Sequence, residues 1–239
     1  INRQIKRECE EEWEGTSVQA LLKTNNYPRT KEEFECLEKF LPKNDLILEA
    51  GCGLGPKLIH FNSKNYQILG IDYIFSALKQ VKKYDPKLVL AQSDVHALPF
   101  PESTFGAYLS YRVVEYLPQG PKDAIIEAHR VLKPGGLIFM MASANNPVTQ
   151  FVYDDQNFLH KLRMNGLLRK LMGKPPLQYK EKHLTYFKLH GRDEMRIILE
   201  TFKFKIIHEQ PMSHSFNLYL GCECFHKDTN GRTHSLAEG

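Results

Sequence analysis

The sequence predicts an α/β fold: a mostly parallel sheet of seven strands, helices on both faces, and the last two strands as an antiparallel pair. Three observations predict it. Between Asp45 and Met141, apolar runs of strand length alternate with segments whose apolar residues recur at three- and four-residue steps. A cluster of glycines directly follows the first of those runs. The final two strand-like runs have no helix between them. Alternation of this kind implies parallel strands joined by right-handed crossovers, whereas consecutive strands without a crossover pair antiparallel.

Element by element, residues 1–44 read as a helical cap. Thr30 and Glu33 have capping-box spacing, Phe34, Leu37, Phe40 and Leu41 follow at helical intervals, and Pro42 ends the run. Asp45–Ala50 is the first strand and Gln67–Asp72 the second. A helix carrying Ala77, Leu78, Val81 and Tyr84 leads to a third strand, Leu88–Ala91. Tyr108–Ser110 is the fourth, and a helix over Ala124–Leu132 stops at Lys133-Pro-Gly-Gly136 before the fifth, Leu137–Met141. Residues 45–143 thus form a core, and 144–190 read as an inserted helical lid. Residues 191–226 hold a helix near Arg192–Phe202 and strands at Lys205–His208 and Leu218–Phe225. All of this is expected to form one domain over 1–239.

Composition narrows the class. The chain has 239 residues, 42% hydrophobic and 25% charged, which excludes collagen-like and largely disordered proteins. The net charge of +4 is unevenly spread. Residues 151–190 carry eight basic and three acidic side chains, a net of +5 that leaves −1 for the rest. No apolar run approaches the ~20 residues of a membrane-spanning helix. The N-terminal stretch is polar, without a signal-peptide pattern. Five cysteines, odd in number and scattered, make no disulfide framework, and the expected setting is a reducing cytoplasm.

The most informative segment is Glu49-Ala-Gly51-Cys-Gly53-Leu-Gly55-Pro56. Glycines at alternate positions between a strand and a helix let the backbone turn sharply and approach a ligand. The dinucleotide fingerprint needs a glycine where Pro56 stands, so an anionic pyrophosphate fits poorly. Asp72, 21 residues after Gly51, ends the second strand where a carboxylate accepts ribose hydroxyls, and Asp94 follows the third. An adenosine ligand with a cationic centre and no phosphates suits these acceptors.

These segments resemble the class I S-adenosylmethionine-dependent methyltransferases, especially those acting on small molecules. Glu49-x-Gly51-x-Gly53-x-Gly55 resembles their first motif, and Gly70-Ile-Asp72 the ribose motif. Ser93-Asp94-Val95 with Leu98-Pro-Phe100 resembles the adenine segment. Tyr111–Leu117 resembles the exit from the fourth strand, and Arg130–Gly136 the turn before the fifth. The resemblance implies a Rossmann-like fold and S-adenosyl-L-methionine as cofactor. The residues it implies around that cofactor are Glu49, Gly51, Cys52, Gly53, Gly55, Asp72, Tyr73, Asp94, Val95 and Ser110. Two departures stand out: Phe105-Gly106 replaces the usual Phe-Asp, and Glu115-Tyr116 replaces a frequent Glu-His, so no imidazole base carries over there.

Several residues keep two readings at this stage. Asp72 is a ribose ligand or a helix N-cap. Trp13, Tyr27 and Tyr111 are aromatics over the adenine or sulfonium, or packing. Cys222, Cys224 and His226 share one face of a strand, which suits packed core better than a metal site, and no metal is expected. Candidates for a base are His183, His190, Glu115 and Tyr111. The basic lid is expected to meet an anionic small-molecule substrate or a lipid surface by peripheral contact, or to be a solvated face. Nucleic acid is not expected, because no RNA-binding module or Asn-Pro-Pro-Tyr nucleobase motif is present. Methylation of RNA or protein and non-catalytic cofactor binding are the alternatives.

Overall fold

A computed structural model of the chain describes residues 3–142, 192–210 and 222–227. Three helices open it: α1 (Arg3–Glu14), α2 (Val18–Thr24) and α3 (Pro28–Phe40). Ser17 caps α2, its hydroxyl accepting from the Ala20 amide at 3.2 Å. The start of α3 corrects the sequence expectation. Helix begins at Pro28, not after Thr30, with Tyr27 as N-cap and no side-chain capping bond. Proline's fixed φ suits the first helical position, where its missing N–H has no intrahelical role. The helix ends at Phe40 and Leu41 is extended, as the residue before Pro42 prefers.

Five parallel strands follow: β1 (Ile47–Ala50), β2 (Ile68–Asp72), β3 (Val89–Gln92), β4 (Phe105–Tyr111) and β5 (Leu132–Met141). Between them run α4 (Pro56–Ser63), α5 (Phe75–Tyr84), a short 3-10 turn at Val114–Tyr116, and α6 (Lys122–Val131). Their spatial order is β3-β2-β1-β4-β5, with Leu48 opposite both Leu69 and Tyr108. All four residues of β1 are buried, as a central parallel strand covered on both faces requires. The chain leaves β1 towards β2 on one side, and β4 takes the other side. Strand order therefore reverses between β1 and β4, and the crevice beyond their C-terminal ends is where such sheets bind ligands.

Alternate strand residues feed two cores. Ile47, Ala107, Leu109 and Phe139 meet Leu37, Leu58, Phe61 and Val81 on one face. Leu48, Tyr108 and Ile138 meet Ile125 and Ala128 on the other. Helix α7 (Arg192–Thr201) adds Met195 and Leu199 to that second core, and β6 (Phe204–Gln210) adds Phe204. The last described element is β7 (Cys222–Lys227). The expected lid, His183 and His190 lie outside the described residues. No helix among the described residues is long and apolar enough to cross a membrane.

The turn before β5 also differs from expectation. The strand begins at Leu132, opposite Phe105, and Ala107 then pairs with Leu137, so Lys133–Gly136 bulge out between paired residues. Gly135 takes the left-handed φ of 81° that this excursion needs.

Gly106, the departure from the family pattern, has a packing cause. A Cβ there would lie 2.5–2.6 Å from the Asp45 carboxylate group and Cβ. Asp45 in turn binds Lys133 at 2.5 Å, joining the start of β1 to the β5 bulge. Gly106→Ala is expected to destabilise the fold by about 1–3 kcal/mol, the usual cost of overpacking. Adding Asp45→Ala should recover part of that loss. Urea denaturation of both single variants and the double variant measures the coupling, and strict additivity would contradict the contact.

Candidate functional site

The crevice is built from the loop after β1. Gly51, Gly53 and Gly55 all have left-handed backbones, with φ of 79°, 53° and 68°. Space forbids a side chain as firmly as torsion does. A Cβ on Gly51 would sit 2.3 Å from Val113 Cγ2, and one on Gly53 2.9 Å from the Trp13 ring. The amides of Gly51 and Cys52 donate to Ile71 O at 2.8 and 2.9 Å, which anchors the loop to β2. Cys52 is buried, and its Sγ lies against Gly70. Pro56 then starts α4.

Asp72 closes the loop from the end of β2. Its Oδ2 accepts from the Gly53 amide at 2.7 Å and its Oδ1 from the Ile74 amide at 2.8 Å. The N-cap of α5 is Ile74, so Asp72 is no N-cap, although it holds the amide at that position. Burial pushes its carboxyl upward, against the opposing pull of the Ile74, Gly53 and Tyr73 amides. Each carboxylate oxygen keeps a second lone pair for a further donor. Tyr73 is half-buried beside it, with Lys6 Nζ 5.7 Å from its ring centroid.

Glu49 is the electrostatic centre. It is 3% exposed, and its Oε2 has no hydrogen-bond partner. Burial pushes its carboxyl up to about 8, opposed by the charge of Lys57 and the amide of Leu58, while Asp72 and Glu33 push further upward. An unsatisfied buried carboxylate oxygen is costly, and a cationic donor arriving from the crevice would complete it. This orphaned acceptor, the glycine cradle and Asp72 together fit the amino group, methionine chain and ribose of S-adenosylmethionine.

The other expected residues fall into place unevenly. Asp94 accepts from the His96 amide at 3.0 Å and contacts His96 Nδ1 at 2.6 Å. Burial pushes its carboxyl up, but the His96 amide and ring hold it below its ordinary value. Val95 and Ser110 are both buried and line one small cavity with Val113 and Met140. Tyr111 ends β4 with Lys57 Nζ 4.1 Å from its ring centroid, so a lysine occupies one face of the ring. Glu115 is fully buried in the 3-10 turn. Tyr27 is 58% exposed at the N-cap of α3. Among the described residues, no group of three or more His, Cys, Asp or Glu side chains is placed to hold a metal ion.

Sequence reasoning missed two residues. Lys57 and Glu33 form an ion pair at 2.8 Å, with side chains 13% and 7% exposed. The signal was a lysine in the first turn of α4, where the helix dipole disfavours a cation. Glu33 had been absorbed by the capping-box spacing. The N-terminal helices also lie against the loop: Trp13 covers Gly53, Trp13 O accepts from Gln80 Nε2 at 2.8 Å, and Pro56 O from Asn25 Nδ2 at 3.4 Å. The Cys9 thiol on α1 is pushed up to about 12 by burial, with Glu12 and Asp72 adding to it.

Comparison with known proteins agrees with this geometry. Residues 48–140 match the family model described as a methyltransferase domain. An uncharacterized protein of Methanocaldococcus jannaschii is 32% identical over 152 residues, 59% of this chain and 70% of that one. A probable S-adenosylmethionine-dependent methyltransferase of Mycolicibacterium smegmatis is 27% identical over 99 residues, 41% of this chain and 38% of that one. The chain spans under two thirds of most curated relatives it matches. Among solved structures, geranyl diphosphate C-methyltransferase from Streptomyces coelicolor, bound to S-adenosyl-L-homocysteine, superposes with a TM-score of 0.58. That match is 12% identical and covers 83% of this chain and 79% of that one.

The chain belongs to the class I S-adenosylmethionine-dependent methyltransferase family, enzymes of Rossmann-like fold whose cofactor is S-adenosyl-L-methionine.

The buried Glu49 sets a pH dependence. The native state without cofactor keeps its proton from about pH 4.5, its ordinary value, up to about pH 8, and the unfolded chain does not. Stability therefore falls as pH rises through this window. Glu49→Gln is expected to melt above the parent protein at pH 8, by about 2–4 °C per kcal/mol of relief, with the gap closing towards pH 4.5. Thermal melts of both proteins across that range measure it.

Proposed function

We propose that this protein transfers the methyl group of S-adenosylmethionine to an oxygen, nitrogen or carbon nucleophile of an anionic or lipid-like small molecule. The observation that carries the cofactor half is the orphaned Oε2 of Glu49 beside the glycine loop. In this reading Glu49 takes the cofactor's amino group. Gly51, Cys52, Gly53 and Gly55 wrap its methionine chain. Asp72 holds the ribose with Tyr73 beside it, Asp94 and Val95 meet the adenine, and Ser110 lines the floor.

The bound cofactor supplies an already activated methyl on sulfur. The chain's task is then alignment and exclusion of water, which orientation alone makes worth about 7–11 kcal/mol in favourable cases. No base is assigned. Tyr111 shares its ring with Lys57 and Glu115 is enclosed, while His183 lies outside the described residues.

The acceptor half rests on charge. The +5 of residues 151–190 suits an anionic acceptor or an anionic surface. The Streptomyces coelicolor enzyme whose fold this chain shares is named for such a substrate, geranyl diphosphate. We take the chain as a single domain, with residues 1–44 as cap and 144–190 as lid. In it β6 and β7 extend the sheet to seven strands as an antiparallel pair. Backbone register supports the last point: β7 runs antiparallel to β5, with Leu137 opposite His226, and β6 pairs with β7.

Two measurements test the proposal. Asp72→Ala is expected to weaken S-adenosylhomocysteine binding at least about tenfold, from loss of charge-assisted hydrogen bonds and of the Gly53 tether. Incubation with methyl-labelled S-adenosylmethionine and fractionated cell extract should label small molecules in an Asp72-dependent way. Label confined to RNA or protein would replace the small-molecule reading.

A further inference from the structure

Lys57 stands in an unfavourable place for a cation, in the first turn of α4, and is nearly enclosed. Two neighbours account for its position. Glu33 Oε1 from α3 pairs with its ammonium at 2.8 Å, and the ring centroid of Tyr111 at the end of β4 lies 4.1 Å from it. A buried ion pair of this kind often adds little net stability, which leaves room for a task other than stability. Its direction supplies one. The ammonium is held by Glu33 and Tyr111 and does not bond to Glu49, whose Oε2 stays without a partner.

We propose that Lys57, clamped by Glu33 and Tyr111, is a positioning residue for the cofactor: its charge eases ionisation of the buried Glu49 carboxyl as the cofactor's amino group arrives, without occupying that carboxyl. The inference rests on the proposed reading of Glu49 as the amino-group acceptor. It also makes an N-terminal helix part of the cofactor site, since Glu33 holds the lysine off Glu49.

The groups acting on Glu49 come from three elements. Lys57 on α4 favours its anion, while Asp72 on β2 and Glu33 on α3 oppose it, Lys57 being the strongest of the charges. In a buried site such fields are screened far less than at the surface. Removing the lysine therefore leaves Glu49 protonated to a higher pH. The cofactor must then displace that proton before it binds.

The experiment is S-adenosylhomocysteine binding by calorimetry from pH 6.5 to 9, comparing the parent protein with Lys57→Met, Lys57→Arg and Glu49→Gln. Because every protein sees the same ligand, titration of the ligand cancels in the ratios. Lys57→Met is expected to bind about tenfold more weakly at pH 6.5 and only about twofold at pH 9, because a raised Glu49 titration costs most where the parent is itself protonated. Lys57→Arg should follow the parent profile, because it keeps the charge. The double variant Glu33→Leu/Lys57→Met removes the pair without stranding a buried charge, so it guards against misfolding of the single variant. It should keep most of the upward shift, since Lys57 outweighs Glu33 at Glu49. A Lys57→Met deficit that is constant with pH, or absent, overturns the proposal while the Glu49 reading stands. Parent-like binding by Glu49→Gln overturns that reading itself.

Discussion

One carboxylate holds the ligand end of this sheet together. Asp72 accepts the amide of Gly53 on one oxygen and that of Ile74 on the other, joining the glycine loop, the end of β2 and the start of α5. Gly51, Gly53 and Gly55, left-handed at alternate positions, turn the loop sharply, and the Gly53 amide finds its acceptor in Asp72, as buried backbone requires. Donation to a charged acceptor makes these bonds stronger than amide–carbonyl pairs. The same residue thus shapes the loop from the end of β2, and each of its oxygens keeps a lone pair for a further donor.

Around that tether, charge is arranged with little slack. Glu49, Asp72 and Glu33 bring three buried carboxyls to one crevice, with Lys57 as the cation between them. Such an arrangement is held against its own repulsion by the packing of the two cores. It explains why α1, α2 and α3 lie against the glycine loop. Trp13 fills the space that Gly53 leaves, Asn25 bonds to Pro56, and Glu33 restrains Lys57. The N-terminal helices thus pack directly on the glycine loop and the first turn of α4.

Much of this was legible in the residues themselves. Strand-length apolar runs marked β1, β2 and β3 to within two residues: β1 and β2 are buried parallel strands, which need nearly continuous apolar sequence, whereas β3 lies at the sheet edge and is partly exposed. Glycine spacing marked the loop, since only glycine adopts those torsions freely. The start of α3 was misread because Thr30–Glu33 imitates a capping box, whereas Pro28 had already set the helical torsion. The bulge of Lys133–Gly136 was read as a turn outside β5, because local signals cannot show that pairing resumes on both sides of it.

Local sequence by itself determined the parallel α/β class, the loop after β1 and the acidic residues at the strand ends. Those features follow from periodicity and torsion, which act over a few neighbouring residues. Tertiary structure alone decided that Glu33 and Lys57, 24 positions apart, form an ion pair with the lysine over the Tyr111 ring, and that Gly106 yields its space to Asp45, 61 positions away. Contacts of that range depend on how helices and strands stack, and on which buried charges must share one cation. No local pattern records that.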